Sequence, residues 1–276
     1  MTASVPLSGV IGHPAGHSRS PRLHRHWLRR YALPGHYVPL EVTPADLPSV
    51  LDAMPRMGFV GANVTIPHKE RALELCDLVT DRAALIGAVN TLIFREDGRR
   101  HGDNTDGYGF LASLRQAVPD WQPGAGPAAI FGAGGAARAV IVALLDAGVP
   151  ELRLANRTRP RAEALHREFG ARLTVMDWSR PSEMLAGART VVNTTSLGME
   201  GQPPFPLSLS ALEPEALVTD LVYTPLDTPL LQAARNRGCR TVDGLGMLLH
   251  QAVPGFERWF GRRPEVDDET RRAVLG

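Results

Sequence analysis

Of thirty basic residues, 29 are arginines and one, Lys69, is a lysine. Arginine serves as well as lysine on a solvated surface, but its pKa is too high for it to give up a proton readily. A lysine ammonium can be tuned to act as general acid or base. A coding bias toward arginine would also leave a stray lysine, so composition alone does not decide between the two readings. The neighbours of Lys69 favour chemistry. It closes the run Asn63-Val64-Thr65-Ile66-Pro67-His68-Lys69. Strand alternation sends Asn63 and Thr65 to one face, and the turn at Pro67 delivers Lys69 near the same rim.

Two further polar clusters could serve a small hydroxylated ligand. Ser18 and Ser20 precede a helix whose first residue is Pro21. Ser20 is either an N-cap or, with Ser18, part of a site for a small carboxylate at a helix start. Gly87-Ala88-Val89-Asn90-Thr91 is followed by Gly102-Asp103-Asn104-Thr105-Asp106-Gly107, and Asp106 is the carboxylate in that second run. Five of the six asparagines (Asn63, Asn90, Asn104, Asn156 and Asn193) fall in the motifs named here. Asn, Thr and Ser supply donors and acceptors without net charge, as a polyhydroxylated ligand requires. Any one of them also suits a turn or a satisfied buried amide.

A cofactor signal lies downstream. Gly132-Ala133-Gly134-Gly135-Ala136-Ala137 fits G-x-G-x-x-A between the apolar run Ala128–Phe131 and a helical stretch. The first glycine allows a tight turn, the second lets the backbone approach a pyrophosphate, and the small Ala137 allows close helix-on-strand packing. At the end of the next strand, where NAD-binding domains usually place an acid, the chain reads Asn156-Arg157-Thr158-Arg159-Pro160-Arg161. Guanidinium groups pair with a ribose 2′-phosphate that a carboxylate would repel, so NADP is favoured over NAD.

The elements that must position these groups alternate. Strands are predicted at Val5–Ile11, Tyr37–Val42, Gly61–Thr65 and Ala88–Phe94, with helices at 21–31, 45–54 and 68–76 between them. Glu96-Asp97-Gly98 reads as the turn ending this first α/β unit. A connecting helix at Asp106–Val118 leads to strands near 128–132, 151–155, 172–175, 190–193 and 217–221, with helices at 135–147, 160–169 and 228–237. The tail from Gly244 is helical again. This alternation argues for βαβ crossovers and parallel sheets. The boundaries are residues 1–105, 106–243 and 244–276.

Composition excludes several classes. The 276 residues carry a formal charge of +1, with 43% hydrophobic and 21% charged residues, which is ordinary globular usage without the basic excess of a nucleic-acid binder. No uncharged apolar run is long enough for a membrane span, and the N-terminal run lacks a signal peptide's cationic start. Two cysteines cannot make a disulfide framework. None of the nine histidines forms a ligand pattern with a carboxylate, so no metal is expected. A soluble, cytoplasmic protein without nucleic-acid or membrane partners is expected.

In order, SxSPxxH, NVTIPHK, GAVNT, GDNTDGxGF, GAGGAA, NRTxxRA, NTTSLGM and GLGML…Q resemble the shikimate dehydrogenase family, from about Gly9 to Gln251. The resemblance implies an α/β fold: an N-terminal α/β substrate domain, a C-terminal Rossmann-type NADP domain, a cleft between them, and C-terminal helices packing back on the first domain. It implies reversible reduction of 3-dehydroshikimate to shikimate, with Lys69 as catalytic acid/base paired with Asp106. Ser18, Ser20, Asn63, Thr65, Asn90, Asp106 and Gln251 would line the substrate pocket, with Tyr223 at its edge. Gly132, Ala133, Gly134, Gly135 and Ala136 would cradle the pyrophosphate, and Asn156, Arg157, Thr158 and Arg161 the adenosine phosphate. Thr194, Thr195, Ser196, Leu221, Gly244 and Met247 would lie along the nicotinamide, and Asp81 would reach the cofactor. The chain departs from the family at Arg25 and Thr224, where Asn is common. The oligomeric state is left as monomer or homodimer.

Three alternatives stand beside this. A quinate/shikimate dehydrogenase using both NAD and NADP is disfavoured by Arg157, Arg159 and Arg161. A methylenetetrahydrofolate dehydrogenase would need a pterin-stacking aromatic near Lys69, where only Phe59 lies within ten residues. A non-catalytic NADP sensor would have no use for the Lys69/Asp106 pair.

Overall fold

A computed structural model describes residues 5–206 and 208–276 of the chain. By packing it divides into two units, residues 1–106 with 248–276 and residues 107–247; residues 1–4 of the first lie outside the described residues.

The first unit is built on β1 (Leu7–Gly12), β2 (His36–Glu41), β3 (Gly61–Val64), β4 (Leu78–Val79), β5 (Thr91–Phe94) and β6 (Arg100–Asp103). They form one sheet in the order β2-β1-β3-β5-β6-β4. Helices α1 (Ser20–Arg30), α2 (Leu47–Ala53), α3 (Lys69–Glu74) and α4 (Asp81–Ile86) connect them. The alternation of strands and helices suggests an all-parallel sheet, and this one is mixed. β5 runs antiparallel to both β3 and β6, because Glu96-Asp97-Gly98 closes a hairpin rather than ending the unit. That reversal sets Asn63 opposite Thr91 and Thr91 opposite Asp103, which gathers three polar motifs at one sheet end. Below them Ile11, Leu47, Leu51, Ala62, Val64, Val89 and Leu92 form the apolar core.

The second unit holds β7 (Ala128–Phe131), β8 (Leu152–Ala155), β9 (Leu173–Val175), β10 (Thr190–Asn193), β11 (Leu217–Asp220) and β12 (Arg240–Val242). All pair in parallel in the order β12-β11-β10-β7-β8-β9, the doubly wound order of a dinucleotide-binding sheet. α5 (Asp106–Ala117), α6 (Gly135–Asp146), α7 (Arg159–Phe169), α8 (Pro181–Leu185) and α9 (Pro229–Asn236) accompany it. The strands read as unbroken apolar runs because both faces are covered: all four residues of β7, β10 and β11 are buried.

α10 (Gly244–Phe260) and α11 (Asp268–Leu275) end the chain. α11 packs on α1, where the Trp27 indole donates to the Glu265 carbonyl and Arg30 pairs with Asp267. No helix among the described residues is long and apolar enough to cross a membrane.

Candidate active site

Lys69 is the first residue of α3, placed by the turn that follows β3. His13 and Thr65 backbone amides tie this turn to the carbonyls of Ile66 and Ile11, at 3.1 and 2.9 Å. The buried His68 imidazole donates through Nε2 to the Val42 carbonyl, 2.7 Å away. The turn is thus fastened on both sides of the lysine. Lys69 Nζ lies 2.6 Å from Asp106 Oδ2, with the lysine side chain 26% exposed and the aspartate 5%. The ammonium therefore has one side on a buried carboxylate and another free for a ligand.

Asp106 is held independently of the lysine. Its Oδ1 accepts from Asn90 Nδ2 at 2.7 Å, and its amide donates to Asn104 Oδ1. Asn90 cannot turn over, since its Oδ1 accepts from the Thr105 amide at 2.9 Å and from the Thr91 hydroxyl at 2.9 Å. Thr105 Oγ1 reaches the Gln251 carbonyl at 2.8 Å and so fastens α10 to the same turn. Nearby, Asp103 binds Arg82 and the Thr80 hydroxyl. Burial alone would raise its carboxyl, but those hydrogen bonds outweigh it and hold the group below its ordinary range. These are preorganising contacts: Lys69, Asp106, Asn90 and Asp103 are each held by a neighbouring side chain or amide.

Ser18, Ser20, Asn63, Thr65 and Gln251 are all half-buried. Ser20 is not an N-cap. Arg19 occupies the cap position of α1 without a side-chain cap bond, and the Ser20 amide instead donates to Ser18 Oγ. Asn63 Nδ2 donates to the Asn90 carbonyl, and its Oδ1 accepts from the Tyr37 hydroxyl. Asp81 begins α4 and is exposed there. Tyr223 belongs to the second unit.

In that unit, Gly132 adopts φ +111°, where a Cβ would sit 2.4 Å from Thr194 Oγ1. Only glycine permits this turn. Gly134 caps α6 with extended backbone, and a Cβ at Gly134 or Gly135 would enter open space. The first turn of α6 therefore presents unobstructed N–H groups, a surface that fits a pyrophosphate. Arg157 and Arg161 are exposed and, among the described residues, unpaired with any carboxylate, whereas Arg159 pairs with Glu163. Asn156 Nδ2 donates to the Thr158 carbonyl. Asn193 accepts from both the amide and the hydroxyl of Thr195 and donates to Asp220, so Thr194, Thr195 and Ser196 leave β10 in a fixed turn. Leu221 follows β11, and Gly244 packs against its carbonyl; Met247 lies in the first turn of α10. Asp220 does not stand out in the sequence because it ends an apolar strand. Burial pushes its carboxyl up, against bonds from Val222, Thr228 and Asn193.

A doubly wound sheet with an open helix N-terminus and a lysine held on a buried carboxylate are the parts of a nicotinamide-dependent dehydrogenase. Residues 10–92 match the shikimate dehydrogenase substrate binding domain, 124–198 the shikimate/quinate 5-dehydrogenase domain, and 244–275 the shikimate 5′-dehydrogenase C-terminal domain. The shikimate dehydrogenase (NADP(+)) of Paracoccus denitrificans is 69% identical over 271 residues, covering 98% of this chain and 96% of the relative. Among solved structures, shikimate 5-dehydrogenase from Thermus thermophilus in complex with NADP(H) and shikimate superposes with TM-score 0.87 at 39% identity, over 98% of each chain. Quinate dehydrogenase from Corynebacterium glutamicum in complex with NAD gives 0.90 at 34% identity, also over 98% of each. The chain belongs to the shikimate dehydrogenase family.

Proposed function

We propose that this chain is an NADP-dependent oxidoreductase that interconverts 3-dehydroshikimate and shikimate; its relatives are named shikimate dehydrogenase (NADP(+)). The observation that carries the reading is the Lys69–Asp106 pair, 2.6 Å apart and flanked by locked amides and hydroxyls. When bound, NADPH supplies the hydride that reduces the ring carbonyl. Lys69 donates a proton from Nζ to the oxygen that becomes a hydroxyl, and takes it back in the oxidation. Asp106 holds the ammonium on target, and Asn90 fixes the carboxylate's other oxygen. The partly exposed lysine regains its proton from solvent. Acid help of this kind is worth about 10²–10⁴ in rate.

Residues 1–106 and 248–276 serve as the substrate domain. Ser18, Ser20, Asn63, Thr65, Asn90 and Gln251 bind the ring hydroxyls and carboxylate, joined by Tyr223. Gly132–Ala136 hold the pyrophosphate, supported by the open space above Gly134 and Gly135. Arg157 and Arg161, with Asn156 and Thr158, take the 2′-phosphate. Thr194, Thr195, Ser196, Leu221, Gly244 and Met247 border the nicotinamide, and Asp81 contacts the cofactor. The balanced charge and scarce cysteines suit a cytoplasmic monomer or homodimer.

Measuring kcat/KM for shikimate and quinate with NADP⁺ and NAD⁺ tests this. Shikimate with NADP⁺ is expected to win over every other pair by at least about tenfold, the worth of one charge-assisted phosphate contact. Preference for quinate with NAD⁺ would move the chain to the quinate branch, and no turnover of either would end the reading.

A further inference from the structure

Tyr37 lies in β2 and is almost wholly buried, yet its hydroxyl reaches across β1 to the substrate-side end of β3. The ring is stacked on His24, with centroids 3.8 Å apart and planes 7° apart, and Trp259 lies along one side. The hydroxyl donates to Asn63 Oδ1 at 2.7 Å. Burial raises the phenol well above its ordinary pKa, so it remains a donor.

Asn63 spends both N–H groups elsewhere. Nδ2 lies 3.1 Å from the Asn90 carbonyl and 3.2 Å from Thr91 Oγ1. A backbone carbonyl only accepts, so the amide has one orientation. With Tyr37 on one lone pair of Oδ1, a single acceptor site remains. We propose that Tyr37 is a positioning residue for substrate recognition: it fixes Asn63 so that this half-buried position presents one acceptor and selects a ligand hydroxyl over a carbonyl or ether oxygen.

This inference rests on the function proposed above. Tyr37→Phe keeps the ring and its stack on His24 and removes only the hydroxyl. The loosened acceptor would be felt equally in ground and transition states. KM for shikimate is therefore expected to rise about five- to tenfold, the worth of one neutral hydrogen bond, with kcat changed less than about twofold. KM for NADP⁺ should not change. In an Asn63→Ala background the same substitution should add nothing further, since Tyr37 acts through that amide. A KM unchanged in Tyr37→Phe, or an equal increment in both backgrounds, overturns the proposal; the second result is what a merely structural role gives. Wild-type enzyme that uses quinate but not shikimate would refute the substrate assignment instead, and Tyr37→Phe would then be judged on quinate.

Discussion

Replacing Asp106 with asparagine changes one oxygen to an NH₂ group with little change in shape. Its two oxygens are both committed, to Lys69 Nζ at 2.6 Å and to Asn90 Nδ2 at 2.7 Å. Whichever way the new amide turns, its NH₂ faces a donor. Asn90 cannot flip to relieve this, because its Oδ1 already accepts from the Thr105 amide. The variant thus loses at least one charge-assisted hydrogen bond, worth about 1.5–3 kcal/mol. The Lys69 side chain is 26% exposed, so water compensates part of the loss and the lower half of that range applies. About 1.5–2 kcal/mol corresponds to a roughly 10- to 30-fold fall in kcat/KM. The assay is the loss of NADPH absorbance with 3-dehydroshikimate, run beside a thermal melt. A variant that melts like wild type and keeps kcat/KM within about threefold would refute the reasoning.

Gly134→Ala is expected to leave stability unchanged or slightly higher, since the backbone there is extended and the new Cβ meets no neighbour. NADP⁺ affinity, measured by calorimetry, should fall at least about tenfold, because the methyl enters the space assigned to the pyrophosphate; wild-type affinity would remove that loop from cofactor binding. His24 is fully buried with neither ring nitrogen bonded among the described residues, and burial lowers its pKa from 6.5 to about 3. Its unfolded form binds a proton below about pH 6.5 while the folded form stays neutral, so stability present above that pH is lost as pH falls toward 3, by up to about 1.4 kcal/mol per pH unit. His24→Phe should flatten this acid slope in denaturant titrations and add about 1 kcal/mol at neutral pH, because an unsatisfied polar group is gone. An unchanged slope would place the acid sensitivity elsewhere, with His250 next in line.

The second unit is the more legible in the sequence. Its buried parallel strands are unbroken apolar runs, so β7, β10 and β11 can be read to within a residue. β12 and α8 escape such a reading: β12, Arg-Thr-Val, buries only its last residue, and the five residues of α8 make little more than one turn. In the first unit β6, Arg-His-Gly-Asp, has no apolar alternation, so the hairpin reads as one strand and a turn. The same hidden reversal conceals why Asn63, Asn90 and Asp106 meet. Their pairing follows from the family motifs, not from spacing. In the sequence Tyr37 is legible only as the start of a strand and His24 only as part of a helix, because a hydroxyl's partner across a neighbouring strand is fixed by register that no local pattern encodes.

Lys69→Arg tests the central claim most directly, since it keeps the charge beside Asp106 and removes a readily released proton. Steady-state kinetics in both directions should show kcat at least about a hundredfold lower, with KM for shikimate within about threefold. Turnover near the wild-type rate in this variant would show that some other group moves the proton.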